Sequence, residues 1–281
     1  MIRPLHRGDE PALEAFLRLH ADSSMFLRSN ARAEGLEYHG KPLQADYVAA
    51  FDGDRILAVV AHCWNGMLLV QAPVNAAALA RAVVEHSGRP VTGLSGPAAQ
   101  VDAARRALGL EHRPAPKHGQ EELFALDLQD LVVPAPLADG RWRCRRPRDD
   151  ELELVTDWRV AFYGEALHRP DAPGLRDEAA EDVRLIHDRR MDWLLLDGDR
   201  PVAYSAFNAR LPDIVQIGGV WAPPALRGRG YGRTVVVGSL LDARSDGVTR
   251  AVLFAEREDA KRAYRGIGFR VVGEFGLVLF H

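Results

Sequence analysis

The run Arg227-Gly228-Arg229-Gly230-Tyr231-Gly232 sets three glycines at alternate positions among arginines, with Arg233 following at once. An apolar segment, Ile214 to Pro223, enters it. A helical pattern over about 230–244 leaves it, with Val236/Leu240 and Val237/Leu241 at i, i+4 spacing. Glycine lets a ligand approach the backbone closely. A helix N-terminus supplies unpaired N–H groups and partial positive charge, and the arginines add full charges. Together these residue types suit a phosphate. Two other phosphate motifs do not fit. A P-loop needs Gly-Lys-Ser/Thr, and Gly232 is followed by Arg233-Thr234. A dinucleotide fingerprint needs Gly-x-Gly-x-x-Gly in an early βαβ unit, and here the third glycine comes one residue early and near the chain's end. As a flexible RNA-binding segment the stretch is too short and too closely flanked by regular structure.

A second constellation follows at Glu258-Asp259-Ala260-Lys261-Arg262-Ala263-Tyr264-Arg265-Gly266-Ile267-Gly268-Phe269. Ala260, Ala263, Tyr264 and Ile267 share one helical face. Acidic residues open the helix, as its dipole favours, and Gly268 is placed to end it. By spacing alone Tyr264 reads as a packed aromatic on that face.

The elements that must position these groups can be read coarsely. A strand is expected at about 141–146 and helices at 149–164 and 175–190. Antiparallel strands follow at 192–197, 201–208 and 213–221, then the loop and its helix. A strand at 249–255, a helix at 258–267 and two strands, Phe269–Val272 and Phe275–Phe280, close the chain. The first half repeats part of this order. Asp46–Phe51, the turn Asp52-Gly53-Asp54-Arg55 and Ile56–Val60 match Asp192–Leu196, Asp197-Gly198-Asp199-Arg200 and Pro201–Tyr204. An Asp-Gly step between apolar runs marks a hairpin. Val133–Gly140, rich in Pro, Ala and Gly, reads as a linker. The expectation is an α+β chain of two tandem domains, 1–132 and 141–281, each a mixed, largely antiparallel sheet flanked by helices.

Composition agrees with a globular chain: 281 residues, 47% hydrophobic, 27% charged, net charge −3. That balance argues against nucleic acid as a partner. Cys63 and Cys144 form no metal-binding spacing and no disulfide framework, and no apolar run suits a membrane span. The expected protein is cytoplasmic, without metal, nucleic-acid or membrane partners, and a monomer or homodimer.

Two of these segments resemble the GCN5-related N-acetyltransferase (GNAT) superfamily. Its Arg/Gln-x-x-Gly-x-Gly/Ala signature is matched by Arg227–Gly232, and its frequent Tyr-x-x-x-Gly-Phe by Tyr264–Phe269. The resemblance is clear over about 190–281 and extends to 141. The N-terminal half resembles a degenerate copy, since its equivalent loop reads Pro73-Val74-Asn75-Ala76-Ala77-Ala78, without glycine. The resemblance implies that acetyl-CoA is the acyl donor and that an amine of a small molecule or protein is the acceptor. The backbone of Val220, Trp221 and Ala222 would pair with pantetheine, and the N–H near Val220 would polarise the thioester carbonyl. The N–H groups from Gly228 to Arg233 would hold the pyrophosphate, and Tyr264 would protonate the departing thiolate. A lysine-like amine must lose a proton first, at roughly 4–5 kcal/mol at pH 7. Glu165, Glu256 or a water-mediated route is the expected base. Many members carry asparagine seven residues before the tyrosine, where this chain has Arg257. A non-catalytic acyl-CoA sensor or interaction module is the alternative. Trp158, Phe162, Tyr163, Glu165 and His168 mark the expected acceptor-side helices.

Overall fold

A computed structural model describes residues 1–280, which divide into two compact units. The first comprises Met1–Leu123 together with the chain end from Gly273, and the second Phe124–Val272.

In the first unit the elements run β1 (Ile2–Pro4), α1 (Glu10–Arg18), α2 (Met25–Glu34), β2 (Ala45–Asp52), β3 (Arg55–Cys63), β4 (Met67–Gln71), α3 (Ala76–Ser87), β5 (Gly93–Pro97), α4 (Ala98–Ala107) and most of β6 (Lys117–Asp127). Strands β1 to β4 pair antiparallel in sequence order, and β4 pairs β5 parallel. The expected hairpin turn is present, with Gly53 left-handed at φ +57°.

The second unit contains α5 (Ala135–Ala138), β7 (Trp142–Arg145), α6 (Leu152–Ala166), α7 (Leu175–Asp188), β8 (Asp192–Asp197), β9 (Arg200–Arg210), β10 (Ile214–Trp221), α8 (Tyr231–Ser245), β11 (Arg250–Ala255), α9 (Glu258–Arg265) and the start of β12 (Arg270–Leu279). Its strands run β6-β11-β10-β9-β8-β7. Only β10–β11 pairs parallel within β7 to β11. Gly198 repeats the left-handed turn at φ +62°. Strand β8 shows why the sheet is covered twice. Trp193 and Leu195 pack with Val235, Val236 and Leu240 of α8, whereas Leu194 and Leu196 pack with Val155 and Val183 of α6 and α7. Alternate side chains leave opposite faces of a strand, so a run of five apolar or sheltered residues needs helices on both sides. Each such side chain contributes roughly 1.5–3 kcal/mol on burial.

This division differs from a cut at the 133–140 linker, which itself forms the short helix α5. Phe124–Asp127, the end of β6, belongs to the second unit, and Phe275–Leu279 of β12 pairs antiparallel with β5 in the first. The first unit is therefore built from two stretches of chain, whereas the second is the single stretch Phe124–Val272. The two strands expected at the chain's end are one strand, because Gly273 does not adopt the left-handed conformation that would turn it.

Candidate functional site

Strands β10 and β11 part company halfway along. Their parallel register covers Ile214↔Arg250, Val215↔Ala251 and Gln216↔Val252, and then stops, although β10 continues to Trp221 and β11 to Ala255. On its other edge β10 shifts register against β9 twice, between Gln216 and Ile217 and between Gly218 and Trp221. Such bulges bend a strand away from its neighbour. Gly219 lies in the second bulge with φ +60°, a conformation that side chains disfavour. Gly219 and Val220 thus have no cross-strand partner, and both are partly accessible.

Past this split, a 3₁₀ turn at Pro224–Leu226 leads to the Arg/Gly loop, and Gly230, left-handed at φ +86°, caps α8 without any side-chain cap. The backbone N–H groups from Gly228 to Arg233 donate to no acceptor among the described residues; the first helical bond is Thr234 N–H to the Gly230 carbonyl, at 3.1 Å. Six adjacent donors at the positive end of a fifteen-residue helix make an anion cradle.

The arginines divide into two kinds. Arg229 and Arg233 are exposed and have no carboxylate partner among the described residues. Arg227 is committed. Its Nε donates to the Ala222 carbonyl at 3.0 Å, its guanidinium covers the Trp221 ring at 4.7 Å, and its two terminal nitrogens hold Glu165 at 2.7 and 2.9 Å. Tyr231 turns inward, donating to Asp197 at 2.6 Å and packing on Trp142. What Tyr231 offers outward is its N–H group.

Tyr264 lies on α9 within the second unit's core, its ring near Phe124 and Phe269. Burial pushes its phenol up to about 12, so the proton stays on at neutral pH. The hydroxyl makes no hydrogen bond among the described residues. The packed aromatic expected from spacing is therefore present, and it carries an uncommitted proton. Glu256 is exposed just past β11. Arg257, at the position of the missing asparagine, pairs with Asp259 at 3.0 Å and reaches Glu165 at 3.4 Å.

On the helices of the other sheet face, Trp158 joins the Val155 cluster, and Phe162 and Tyr163 join a second cluster with Leu175 and Ala179. Of these aromatics Tyr163 is a core residue, and Trp158 and Phe162 are partly buried against the clusters. Glu165 and His168 are exposed. The spacing-based reading overlooked Arg159, on the same apolar stripe between Trp158 and Phe162. Its side chain is 12% exposed, its Nε bonds the Tyr163 hydroxyl at 3.2 Å, and its Nη2 stands 3.5 Å from Asp182. A charge at core spacing was the available signal.

The first unit closes the corresponding split. At Gly96 a Cβ would stand 2.3 Å from the Val70 carbonyl oxygen, so β5 stays against β4 past their paired residues. The Gln100 side chain accepts the Ala72 N–H at 2.6 Å, so this N–H is already bonded within the unit.

A sheet whose two central parallel strands splay beside an uncapped, glycine-rich helix start defines the class of acyl-CoA N-acyltransferase folds. Residues 152–269 match the acetyltransferase (GNAT) family model, and this segment is a GNAT domain. The whole chain has the tandem GNAT architecture. It is similar to a tandem GNAT protein from the clavulanic acid biosynthesis pathway (13% identity, TM-score 0.57, 99% of this chain and 97% of that one). It is also similar to a GCN5-related N-acetyltransferase from Sphaerobacter thermophilus (17%, 0.60, 99% and 94%) and to a Drosophila protein (12%, 0.65, 99% and 98%). No curated protein matches the sequence. Among the described residues there is no cluster of side chains suited to a metal, and no helix is long and apolar enough to cross a membrane.

Proposed function

We propose that the second unit transfers the acetyl group of acetyl-CoA to a primary amine by direct attack in a ternary complex. The observation that carries this reading is the coincidence of the β10–β11 split with the α8 N–H groups that have no acceptor among the described residues. The pantetheine amides pair with the free edge at Val220–Ala222, as a third strand would. The pyrophosphate sits on the N–H groups of Gly228 to Arg233, with Arg229 and Arg233 adding charge. Arg227 shapes the loop rather than meeting the phosphate, because its guanidinium is already occupied on three sides.

In the reaction the amine nitrogen attacks the thioester carbonyl, whose developing oxyanion meets the N–H near Val220. The C–S bond breaks, and the sulfur takes the Tyr264 proton. Water then restores the phenol, and the proton lost by nitrogen leaves through solvent or through Glu256. The first unit, with its split closed, serves as a scaffold.

The test is calorimetric titration with acetyl-CoA, then thiol release across an amine panel. Binding with turnover supports the reading. Binding without turnover on any amine makes the protein an acyl-CoA sensor, and absence of binding removes both. Gly230→Ala, which strains the left-handed cap by roughly 1–2 kcal/mol, is expected to weaken acetyl-CoA binding at least about 10-fold.

A further inference from the structure

The bulge in β10 faces a cation that is largely, though not fully, sheltered from solvent. A Cβ at Gly219 would lie 2.7 Å from Arg159 Nη1, 3.9 Å from the Tyr204 ring and 4.0 Å from the Ala206 methyl. Arg159 reaches this point from α6, and its Nη1 donates to nothing among the described residues. The groups around the guanidinium are few. Tyr163 accepts from Nε and itself donates to Asp182, which stands 3.5 Å from Nη2. The Tyr204 hydroxyl, from β9 opposite Trp221, is buried without a partner.

A guanidinium this enclosed is costly without a full set of acceptors. One of its edges is satisfied by Tyr163 and Asp182, and the other is left open beside the backbone where the thioester carbonyl would rest. Arginine's planar fork matches a carboxylate with two parallel N–H···O bonds. Resting on the acetyl-transfer reading above, we propose that the acceptor is an amino acid, a primary amine carrying its own carboxylate, and that Arg159 binds that carboxylate with help from the Tyr204 hydroxyl. Anchoring the carboxylate at the bulge sets the amine, a few bonds away, against the acyl carbon. It also explains why residue 219 has no side chain: any Cβ there would displace Nη1.

The experiment uses the full chain and a panel of amino acids, each beside its carboxamide. Binding is measured by calorimetry in saturating coenzyme A, and thiol release separately with acetyl-CoA as donor. The expected result is that at least one amino acid binds about 10- to 100-fold more tightly than its amide, the range for losing a charged hydrogen bond. Arg159→Gln erases that preference while leaving coenzyme A affinity within about threefold. Arg159→Lys restores part of it, and Tyr204→Phe, which preserves packing, narrows it. Coenzyme A binding by each variant certifies that it has folded. Equal binding of acid and amide, or no amino acid binding at all, overturns the proposal. So does an Arg159→Gln effect confined to coenzyme A. Selective binding of amino acids without thiol release leaves this inference standing and removes the transfer reading instead.

Discussion

Arg227 on the Arg/Gly loop grips both carboxylate oxygens of Glu165 on α6, at 2.7 and 2.9 Å, while Arg257 approaches the same carboxylate at 3.4 Å. A general base needs a lone pair facing the substrate. Glu165 has turned its oxygens to two cations, and this geometry recommends it as a brace for the loop. Glu165→Gln is expected to keep kcat within about threefold. The pair is half-exposed, and such pairs contribute about 0–1 kcal/mol. The change in acetyl-CoA affinity should therefore stay below about fivefold, toward tighter binding as Arg227 is released. A kcat loss of 100-fold would return Glu165 to the role of base.

Tyr264→Phe isolates one hydroxyl. The ring contacts with Phe124 and Phe269 remain, and no hydrogen bond within the described structure is lost, so stability should be unchanged or slightly higher. The expected kcat falls about 100-fold with KM for acetyl-CoA little altered, as for a general acid. Steady-state kinetics on the two proteins decide it, and equal kcat values would dismiss Tyr264.

The same phenol makes a prediction at alkaline pH. Its folded pKa, about 12, stands above an ordinary value of about 10. Below pH 10 both folded and unfolded chains keep the proton, and nothing is lost. Between pH 10 and 12 the unfolded chain releases it first, so wild type loses stability there and Tyr264→Phe loses less. Denaturant melts at pH 9 and 11.5 measure the difference. Any alkaline limb in kcat below pH 10 belongs to another group.

Glu151 opens α6 by accepting from Arg145 at 2.6 and 2.8 Å and from the Arg148 N–H at 2.8 Å. The Arg145 bonds, foremost, hold its carboxyl down to about 2, against the wear of burial. A depressed acid contributes stability that is complete above its unfolded pKa, about 4.3, and that is lost as pH falls toward 2. Glu151→Gln should cost about 2 kcal/mol at pH 7 and much less at pH 2. Urea titrations at both values check the sign; an equal loss at both would rule out the ionic origin.

Cys63 and Cys144 should be silent in a thiol assay. Burial pushes each thiol up to about 12, and Cys144 is packed so closely on Gly238 of α8 that a Cβ there would meet its sulfur. Thiolate, not thiol, is the nucleophile. A chromogenic disulfide at pH 8 should detect fewer than about 0.1 thiols per native chain and both after unfolding, so coenzyme A release can be followed without background. A prompt native reaction would show that the α8 contact opens.

Local chemistry was legible along the chain. The Asp-Gly hairpins, the strand and helix order of the second half, and the glycine cradle each depend on neighbours within about ten residues, where glycine's φ freedom and apolar periodicity act directly. The loop from Arg227 to Gly232 could therefore be proposed as a phosphate site before any fold was known. Which of the loop's arginines lacks a carboxylate partner was not legible, because Arg227 is engaged by Glu165, sixty-two residues earlier in the chain. Nor was the return of the chain's last strand to the first unit, since the end of β12 pairs with β5 rather than with a sequence neighbour. Arg159 is the sharpest case. On its helix it resembles any charge beside aromatics, and only the folding of α6 over the β10 bulge sets its free Nη1 against Gly219. Sequence periodicity records which face of an element is buried. What an element's buried charge faces is decided by which distant strand bends there, and that is a property of the tertiary structure alone.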